Sequence, residues 1–350
     1  MRRLHAANPA RLRDLTAIAA IAGVAAAAQT APTTTPPPPA AAPVAPTEPA
    51  PASPPSSTPG PTSEAPPADA GPVLKKDLPE HRPRGGRPDS PPTAGAIAKR
   101  LTPMLARLGR DDAPVTAPGI VLWSPGDRTA AAALAVRLDR SLGEMRRLLR
   151  VQRGRLAPRA VVLHADRDAF ELAEATLFMQ APLRSRIAVL HELDGTGVID
   201  AWESSDEPVR RGSLGRALAT SLLLDEPTIA AWPTWFREGL ASQLADASIS
   251  PNGLEPVMRQ VGLAAIRGGR AAGLLGLPPE DPAWIDLASP AQGVAFLAVQ
   301  WLAEQAPTRL DRFIDALRRG VAWTDALREI YGLTPASLSA ALGRHYMMND

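Results

Sequence analysis

From about residue 96 onward, apolar residues recur along the chain with two periods, one typical of strands and one typical of helices. Ile120–Trp123 and Arg159–His164 contain short, continuous apolar runs, as buried strands do. Between them, Arg128–Val151 repeats apolar residues at intervals of three and four, which predicts a long amphipathic helix. Ala96–Leu108 has the same helical spacing, with Pro103 inside it. These stretches predict alternating helices and strands.

The pattern continues with a helix and a pair of strands. Asp166 is placed to cap a helix that carries Phe170 on its apolar face. Arg186–Leu190 and Thr196–Trp202 have strand-like patterns. The Asp-Gly dipeptide at 194–195 between them is a turn signal, although these bounds leave more residues than a two-residue hairpin needs.

From Ser213 onward the pattern predicts helices alone. The predicted helices are Ser213–Leu224, Pro233–Ala247, Gln292–Glu304, Arg309–Arg319, Asp325–Ile330 and Pro335–Tyr346, with Thr308, Thr324 and Thr334 as N-caps of the last three. The fold class is therefore predicted to be α+β. A small mixed sheet with its helices occupies about 94–212, and a mainly helical part occupies about 213–350.

The first 28 residues have the composition of an export signal. Arginines at positions 2, 3, 11 and 13 precede an apolar run of 14 residues, Leu15–Ala28, which ends in small residues. A spanning helix needs about 20 apolar residues, so this run is short for a permanent anchor. We predict a signal peptide over residues 1–28, with a short uncleaved membrane anchor as the alternative. Both place the folded part outside the cytoplasm (secreted, periplasmic or tethered to the envelope), with membrane contact only through this segment.

Residues 29–93 form a proline-rich segment. Prolines make up 21 of the 63 residues from Ala31 to Thr93, and Ala, Ser, Thr and Gly supply most of the rest. Such a segment has too little apolar surface to offset the entropy of ordering it. We predict a disordered, semi-extended linker, followed by one folded domain over 94–350.

Composition excludes several kinds of chemistry. The chain has no cysteine, which excludes thiolate catalysis, cysteine zinc ligands and disulfides. Its formal net charge is +2, and it has no Lys/Arg block with interleaved aromatic residues, so no nucleic-acid partner is predicted. It also lacks the G-x-S-x-G and S-x-x-K motifs of serine enzymes.

Three stretches match, in order, the pattern of a known family. A strand, a long helix and a second strand occupy Gly119–Leu163 and continue into Asp166–Phe170. Trp235–Ala241 reads WFREGLA and matches a W-[FL]-x-E-G-[LI]-A motif, and Ala295–Tyr346 contains a matching series of helices. From about residue 94 to 346 the chain thereby resembles the peptidase MA-like domain of the gluzincin clan, the thermolysin-like zinc peptidases.

The resemblance implies a zinc site at which three positions have changed. In the family, the two His of H-E-x-x-H lie at i and i+4 on one helix, the Glu between them activates water, and the Glu of E-G-L-A is the third ligand. The matching positions here are Arg216 and Thr220 for the two His, Ala217 for the base, and Glu238 for the third ligand. Seventeen residues separate Thr220 from Glu238, close to the family spacing.

We therefore expect no catalytic residue and no zinc cofactor, because one carboxylate does not hold zinc and alanine cannot activate water. The remnant cleft is expected to contain Arg216, Glu238 and Trp235. We hypothesise that the guanidinium of Arg216 takes the place of the metal cation and pairs with Glu238. The alternative is that Arg216 points to solvent and Glu238 bonds only to backbone or water.

The remaining histidines are weaker candidates. His191 begins the only His-Glu dipeptide, but it lies in a predicted strand, where the i, i+4 helical geometry is absent. His164 ends a strand before Asp166 and Asp168, an arrangement typical of a turn and helix cap. His345 in the last helix is predicted to be a surface residue.

Three functions are compatible with these residues. The first is a non-catalytic, gluzincin-like domain that binds a peptide, a glycan or an envelope protein in the remnant cleft. The second is an active metallopeptidase-type hydrolase whose ligands, such as His164 or His191, are brought together by folding. The third is a structural domain with no cleft function. Exposed aromatic residues at Trp232 and Trp235 would favour the first over the third, although core positions for both fit the motif better.

Overall fold

The computed structural model describes residues 91–151, 157–180, 187–193, 196–203, 207–249 and 253–348. Over these residues the fold is α+β, as predicted, with one five-stranded mixed sheet and a mainly helical remainder. The predicted export signal and nearly all of the predicted linker lie outside the described residues. Within the described part of the chain, no helix combines the length and apolar character needed to cross a bilayer.

Short apolar runs and amphipathic helices alternate through the sheet region. The elements are α1 (Ala94–Ala106), β1 (Val115–Ala117), β2 (Ile120–Trp123), α2 (Arg128–Leu148), β3 (Arg159–His164), α3 (Arg167–Leu177), β4 (Ala188–Leu193) and β5 (Thr196–Trp202). The strand order is β1-β2-β3-β5-β4. The β2–β3 and β3–β5 pairs are parallel, whereas β1 and β4 pair antiparallel as the two edge strands. The parallel strands β2 and β3 are buried on both faces, which explains their continuous apolar runs.

Each face of the sheet packs against a different set of helices. Val121, Val162 and Val198 lie on the face that packs against α1, whose Ile97 and Leu101 are buried there. The opposite face belongs to the main core, which it shares with α2 and the helices that follow the sheet. The sheet therefore separates a small core from a large one.

The second half of the domain is helical throughout. Its helices are α4 (Glu207–Leu223), α5 (Thr234–Ser248), α6 (Glu255–Arg267), α7 (Ala271–Leu275), α8 (Pro290–Gln305), α9 (Pro307–Arg318), α10 (Trp323–Tyr331) and α11 (Pro335–Met348). Helix α8 is buried along nearly its whole length and packs against α5 and α6. Its contact with α6 is close because Gly262 and Gly293 face each other; a Cβ on Gly293 would lie 2.5 Å from Gly262 N. This packing makes α8 the central helix of the domain.

Several predicted boundaries were wrong. β4 extends to Leu193, so only residues 194–195, which lie outside the described residues, join it to Thr196, and the spacing is that of a two-residue hairpin. Helix α4 begins at Glu207, before the predicted Ser213. The short strand β1 and the helices α6 and α7 were not predicted. The apolar pattern alone missed β4's end because its last residues are partly polar.

The predicted helix caps were partly confirmed. Thr334 caps α11, since its Oγ1 accepts a hydrogen bond of 3.1 Å from Ser337 N. Thr308 and Thr324 are not caps, because α9 and α10 begin earlier and use Ala306 and Ala322 as N-caps. Pro233, predicted as the first helical residue of α5, is instead its N-cap, and the helix begins at Thr234.

Candidate functional site

Helices α4 and α5 pack side by side and bring the predicted site residues to one cleft. Arg216, Ala217 and Thr220 project from α4, and Glu238 projects from α5. The spacing of 216 and 220 places both on the same side of their helix, one turn apart. The cleft has a volume of about 300 Å³. Its other lining residues are Ile187, Ala188, Val189, Leu190, Ser213, Trp284, Ile285 and Leu287.

Arg216 and Glu238 form an ion pair across this cleft. The guanidinium nitrogen Nη2 of Arg216 donates a hydrogen bond to Glu238 Oε2. The same nitrogen donates to the carbonyl oxygen of Trp284 at 3.2 Å. Gln292 Nε2 donates to the same two acceptors, at 3.2 Å to Glu238 Oε2 and 2.6 Å to Trp284 O. The structure therefore contains the hypothesised pair and excludes the alternative in which Arg216 points to solvent.

Both side chains of the pair are mostly removed from water, at 18% exposed for Arg216 and 17% for Glu238. An isolated buried carboxylate is costly, and a guanidinium with directed N–H groups offsets that cost. Gln292, which is fully buried, shares Glu238 Oε2 with Arg216 and so fixes where the carboxylate lies. A cationic side chain thus bonds to the carboxylate that the resemblance makes a zinc ligand.

The glycine after Glu238 explains why α5 can place that carboxylate there. A Cβ on Gly239 would lie 2.3 Å from the carbonyl oxygen of Ala295 on α8, closer than atoms can approach. Glycine therefore lets α5 lie directly against α8, which carries Gln292. Ser289 fixes the start of α8, since its Oγ accepts from Gln292 N at 3.2 Å and donates to Ala283 O. These contacts hold Glu238 and Gln292 in register.

The edge strand β4 supplies the opposite wall of the cleft. Ile187 O accepts a hydrogen bond of 3.1 Å from Trp202 N, and Ala188 lies opposite Ala201. Hydrogen-bonded and non-hydrogen-bonded pairs alternate along an antiparallel ladder. Because Ile187 bonds to Trp202, the next pair, Ala188 with Ala201, is a non-hydrogen-bonded pair. The main-chain N–H and C=O groups of Ala188 and Leu190 therefore point away from β5, toward the free edge of the sheet. Among the described residues no strand pairs with this outer edge of β4, which lies beside the cleft.

The prediction that Trp235 lines the remnant cleft was wrong. Trp235 is buried in the core, where its ring meets Phe236 and Trp323 edge to face at 5.5 and 6.0 Å between centroids. Trp232 is buried as well. Trp235 lines a separate apolar pocket of about 270 Å³ next to Trp323. The aromatic residue of the motif supports the packing of α5 and takes no part in the cleft.

The residues of the cleft do not fit a zinc ion. Of the four motif positions, only Glu238 offers a metal-ligand type used by zinc, and its Oε2 is bonded to the guanidinium of Arg216. Throughout the described ranges, no group of three or more His, Cys, Asp or Glu side chains could hold a metal ion. No step of chemistry is therefore derived through zinc.

The histidines do not complete this site. His164 Nε2 lies 2.8 Å from Asp200 Oδ1, and His191 Nε2 lies 2.5 Å from Glu174 Oε1, on the α3-covered face of the sheet. His164 is thus a buried partner of a carboxylate, where a turn and cap residue was predicted. His345, predicted to be a surface residue, is half-buried, and its Nε2 lies 3.6 Å from Glu304 Oε2.

Sequence reasoning missed several residues of the cleft. Gln292, the carbonyl of Trp284 and the edge of β4 come from parts of the chain far from the motif, and no sequence signal connected them to it. Ser213, which also lines the cleft, was predicted only as the first residue of a helix. All of these depend on tertiary packing.

Comparison with known proteins leaves the family open. No protein-family model matches the chain, and no curated protein matches it either. The resemblance to gluzincin zinc peptidases therefore stays a prediction from the sequence motif and the order of the elements.

Proposed function

We propose that this chain is an exported, non-catalytic relative of the gluzincin zinc peptidases that binds an extended peptide in the cleft between β4 and α4. The observation that carries the proposal is the ion pair of Arg216 with Glu238. A cationic side chain is bonded to the one retained ligand position, and the two other ligand positions are Arg216 and Thr220, neither of which is a zinc ligand.

The side chains at the cleft support the proposed lack of a catalytic role. Ala217 stands where the family has its general base, and a methyl group neither accepts a proton nor orients water. Binding requires neither a metal nor a base, so the cleft can keep that role.

The strand edge favours a peptide over a glycan as the ligand. The outward main-chain groups of Ala188 and Leu190 can pair with an added strand, as occurs when a peptide binds to the edge of a sheet. Leu190, Ile285 and Leu287 provide apolar surface for its side chains. Arg216 and Glu238 provide polar groups at the floor. A folded envelope protein fits this proposal if it presents an extended segment.

Export is proposed from the sequence of residues 1–28 and from the proline-rich segment that follows. A signal or short anchor followed by a long linker would place the binding domain at a distance from the membrane. The proposed location is secreted, periplasmic or tethered to the cell envelope.

The test is a selection of displayed random heptapeptides on the purified full-length chain. We expect enrichment of extended sequences that alternate apolar and polar residues, with micromolar affinity by titration. The variant Ala188→Pro removes an outward N–H without removing a β4–β5 hydrogen bond, so it should weaken binding about tenfold while urea unfolding stays cooperative. Selection of no peptide, or equal binding by this variant, would contradict the proposal.

A further inference from the structure

Four titratable side chains form a buried cluster on the face of the sheet opposite the cleft. They are His164 on β3, Glu174 on α3, His191 on β4 and Asp200 on β5. Two histidine–carboxylate contacts connect them, His164 to Asp200 and His191 to Glu174. His164, Glu174 and Asp200 are each at most 3% exposed. The cluster joins three strands to the helix that covers them.

The cluster has an excess of negative charge unless it takes up protons. With both imidazoles neutral, Asp200 and Glu174 are two buried carboxylates that no arginine or lysine contacts within the described residues. The second oxygen of Asp200, Oδ2, has no hydrogen-bond partner in the part of the chain that the structure describes. Each added proton reduces this buried charge, and imidazole and buried carboxyl groups exchange protons at mildly acidic pH.

The surroundings of Asp200 contain few other charges. The charged groups that act on it are His164 from β3, His191 from β4 and Glu174 from α3. Helix α1 presents apolar side chains to this face of the sheet. Nearby, Arg110 donates to Leu163 O at 2.7 Å and is paired with Asp112. The net charge of the cluster therefore changes when one of its four side chains gains or loses a proton.

We propose that this cluster is a proton-dependent latch that holds the edge strand β4 against α3 and β5, and thereby sets how firmly the wall of the cleft is fixed. The effect on ligand binding rests on the function proposed above, but the latch itself does not. Alternate residues of β4 face opposite sides: His191 meets Glu174, whereas Ala188 and Leu190 pack on the side of the main core and the cleft. A change in the cluster therefore acts directly on the cleft wall.

The aromatic neighbour of His191 provides a second contact between β4 and α3. The ring of Phe178, at the end of α3, stacks on the imidazole with 3.7 Å between centroids and an interplanar angle of 6°. The stack and the contact of His191 with Glu174 together hold α3 on β4.

The pKa of Asp200 gives the pH window. Burial, opposed by the contact with His164, raises the pKa of this carboxyl from 3.8 to about 6. Because the folded value lies above the unfolded one, the stability from protonated Asp200 is complete below about pH 4 and is lost as the pH rises through 6. Between pH 5 and pH 7, the loss of this stability increases the equilibrium constant for opening of β4 away from α3 and β5 about tenfold.

The experiment is hydrogen exchange of the amides of Val189, His191 and Leu193, which alternate with the outward-pointing amides and so face β5. Exchange is measured in the full-length chain without ligand, at pH 5 and pH 7, and corrected for intrinsic exchange. In the wild type we expect protection at pH 5 to exceed protection at pH 7 about tenfold. In Asp200→Asn the difference should fall below threefold, because the variant side chain is neutral at both pH values. The control Asp325→Asn changes an exposed carboxylate on α10 and should keep the wild-type difference.

Glu174→Gln is the second variant and serves if Asp200→Asn does not fold. The negative charge of Glu174 raises the pKa of Asp200, so removing this charge should lower that pKa. The pH range over which the variant loses protection should therefore move to lower pH. Equal protection of the wild type at both pH values, or a full pH difference in Asp200→Asn, would overturn the latch. Because no ligand is present, this result is independent of whether peptides bind.

Discussion

Replacing Arg216 with methionine removes the cation that faces Glu238 while keeping the length of the side chain. Glu238 then keeps one amide hydrogen bond, the 3.2 Å contact from Gln292. Truncating one member of a buried, hydrogen-bonded pair costs about 3–5 kcal/mol because the other charge is left without a partner. Both side chains here retain nearly a fifth of their exposure, so we expect about 2–3 kcal/mol.

A double-mutant cycle separates the pair from the rest of the site. Glu238→Gln leaves Arg216 its contact with Trp284 O and should cost about 1–2 kcal/mol. The double variant should be less destabilised than the sum of the two single variants by about 1–2 kcal/mol. That coupling energy is the contribution of the ion pair itself.

The assay is urea unfolding of the four proteins at pH 7, followed by tryptophan fluorescence. For a domain of this size each kcal/mol corresponds to about 2–4 °C in Tm, so thermal unfolding of Arg216→Met should shift by several degrees. Additive single-variant effects, or a loss below about 0.5 kcal/mol in Arg216→Met, would refute the claim that the guanidinium compensates Glu238.

Two further predictions concern the packing and the buried charge. Gly239→Ala should destabilise the domain by about 3 kcal/mol or more, because its Cβ would meet Ala295 O, whereas Gly143→Ala in α2, where a Cβ has open space, should stabilise it by about 0.5–1 kcal/mol. Urea unfolding of the two variants tests this, and similar effects would contradict it. For Asp200→Asn, the free energy of unfolding relative to wild type should rise by about 2–3 kcal/mol between pH 4 and pH 7, since only the wild type acquires a buried charge there. A pH-independent difference between the two proteins would count against this.

The elements with strong periodicity could be predicted from the sequence. Strands β2 and β3 were predicted with the bounds that the structure gives, because both are apolar at nearly every position. The end of β4 was missed because His191 is polar, and its partner Glu174 lies on another element. A polar residue in a strand is recognised only when its partner is known.

The candidate site was predictable only in part. The placement of Arg216 against Glu238 followed from the resemblance, which brings two specific helices together. Gln292 and Trp284 could not be predicted, because the packing of α8 and of the segment before it brings them to the pair. Gln292 is 54 residues from Glu238 in the sequence, and Trp284 is 68 residues from Arg216. Trp235 was assigned to the cleft although the motif favours a core position, and the structure places it in the core.

The most direct test of the account restores the lost ligands. The variant Arg216→His, Ala217→Glu, Thr220→His places two imidazoles one turn apart on α4, opposite Glu238, in the arrangement that zinc requires. Metal analysis of the dialysed proteins should give one zinc per chain for this variant and none for the wild type, and adding Glu238→Ala should release it. Stoichiometric zinc in the wild type, or a folded triple variant that binds none, would contradict the account.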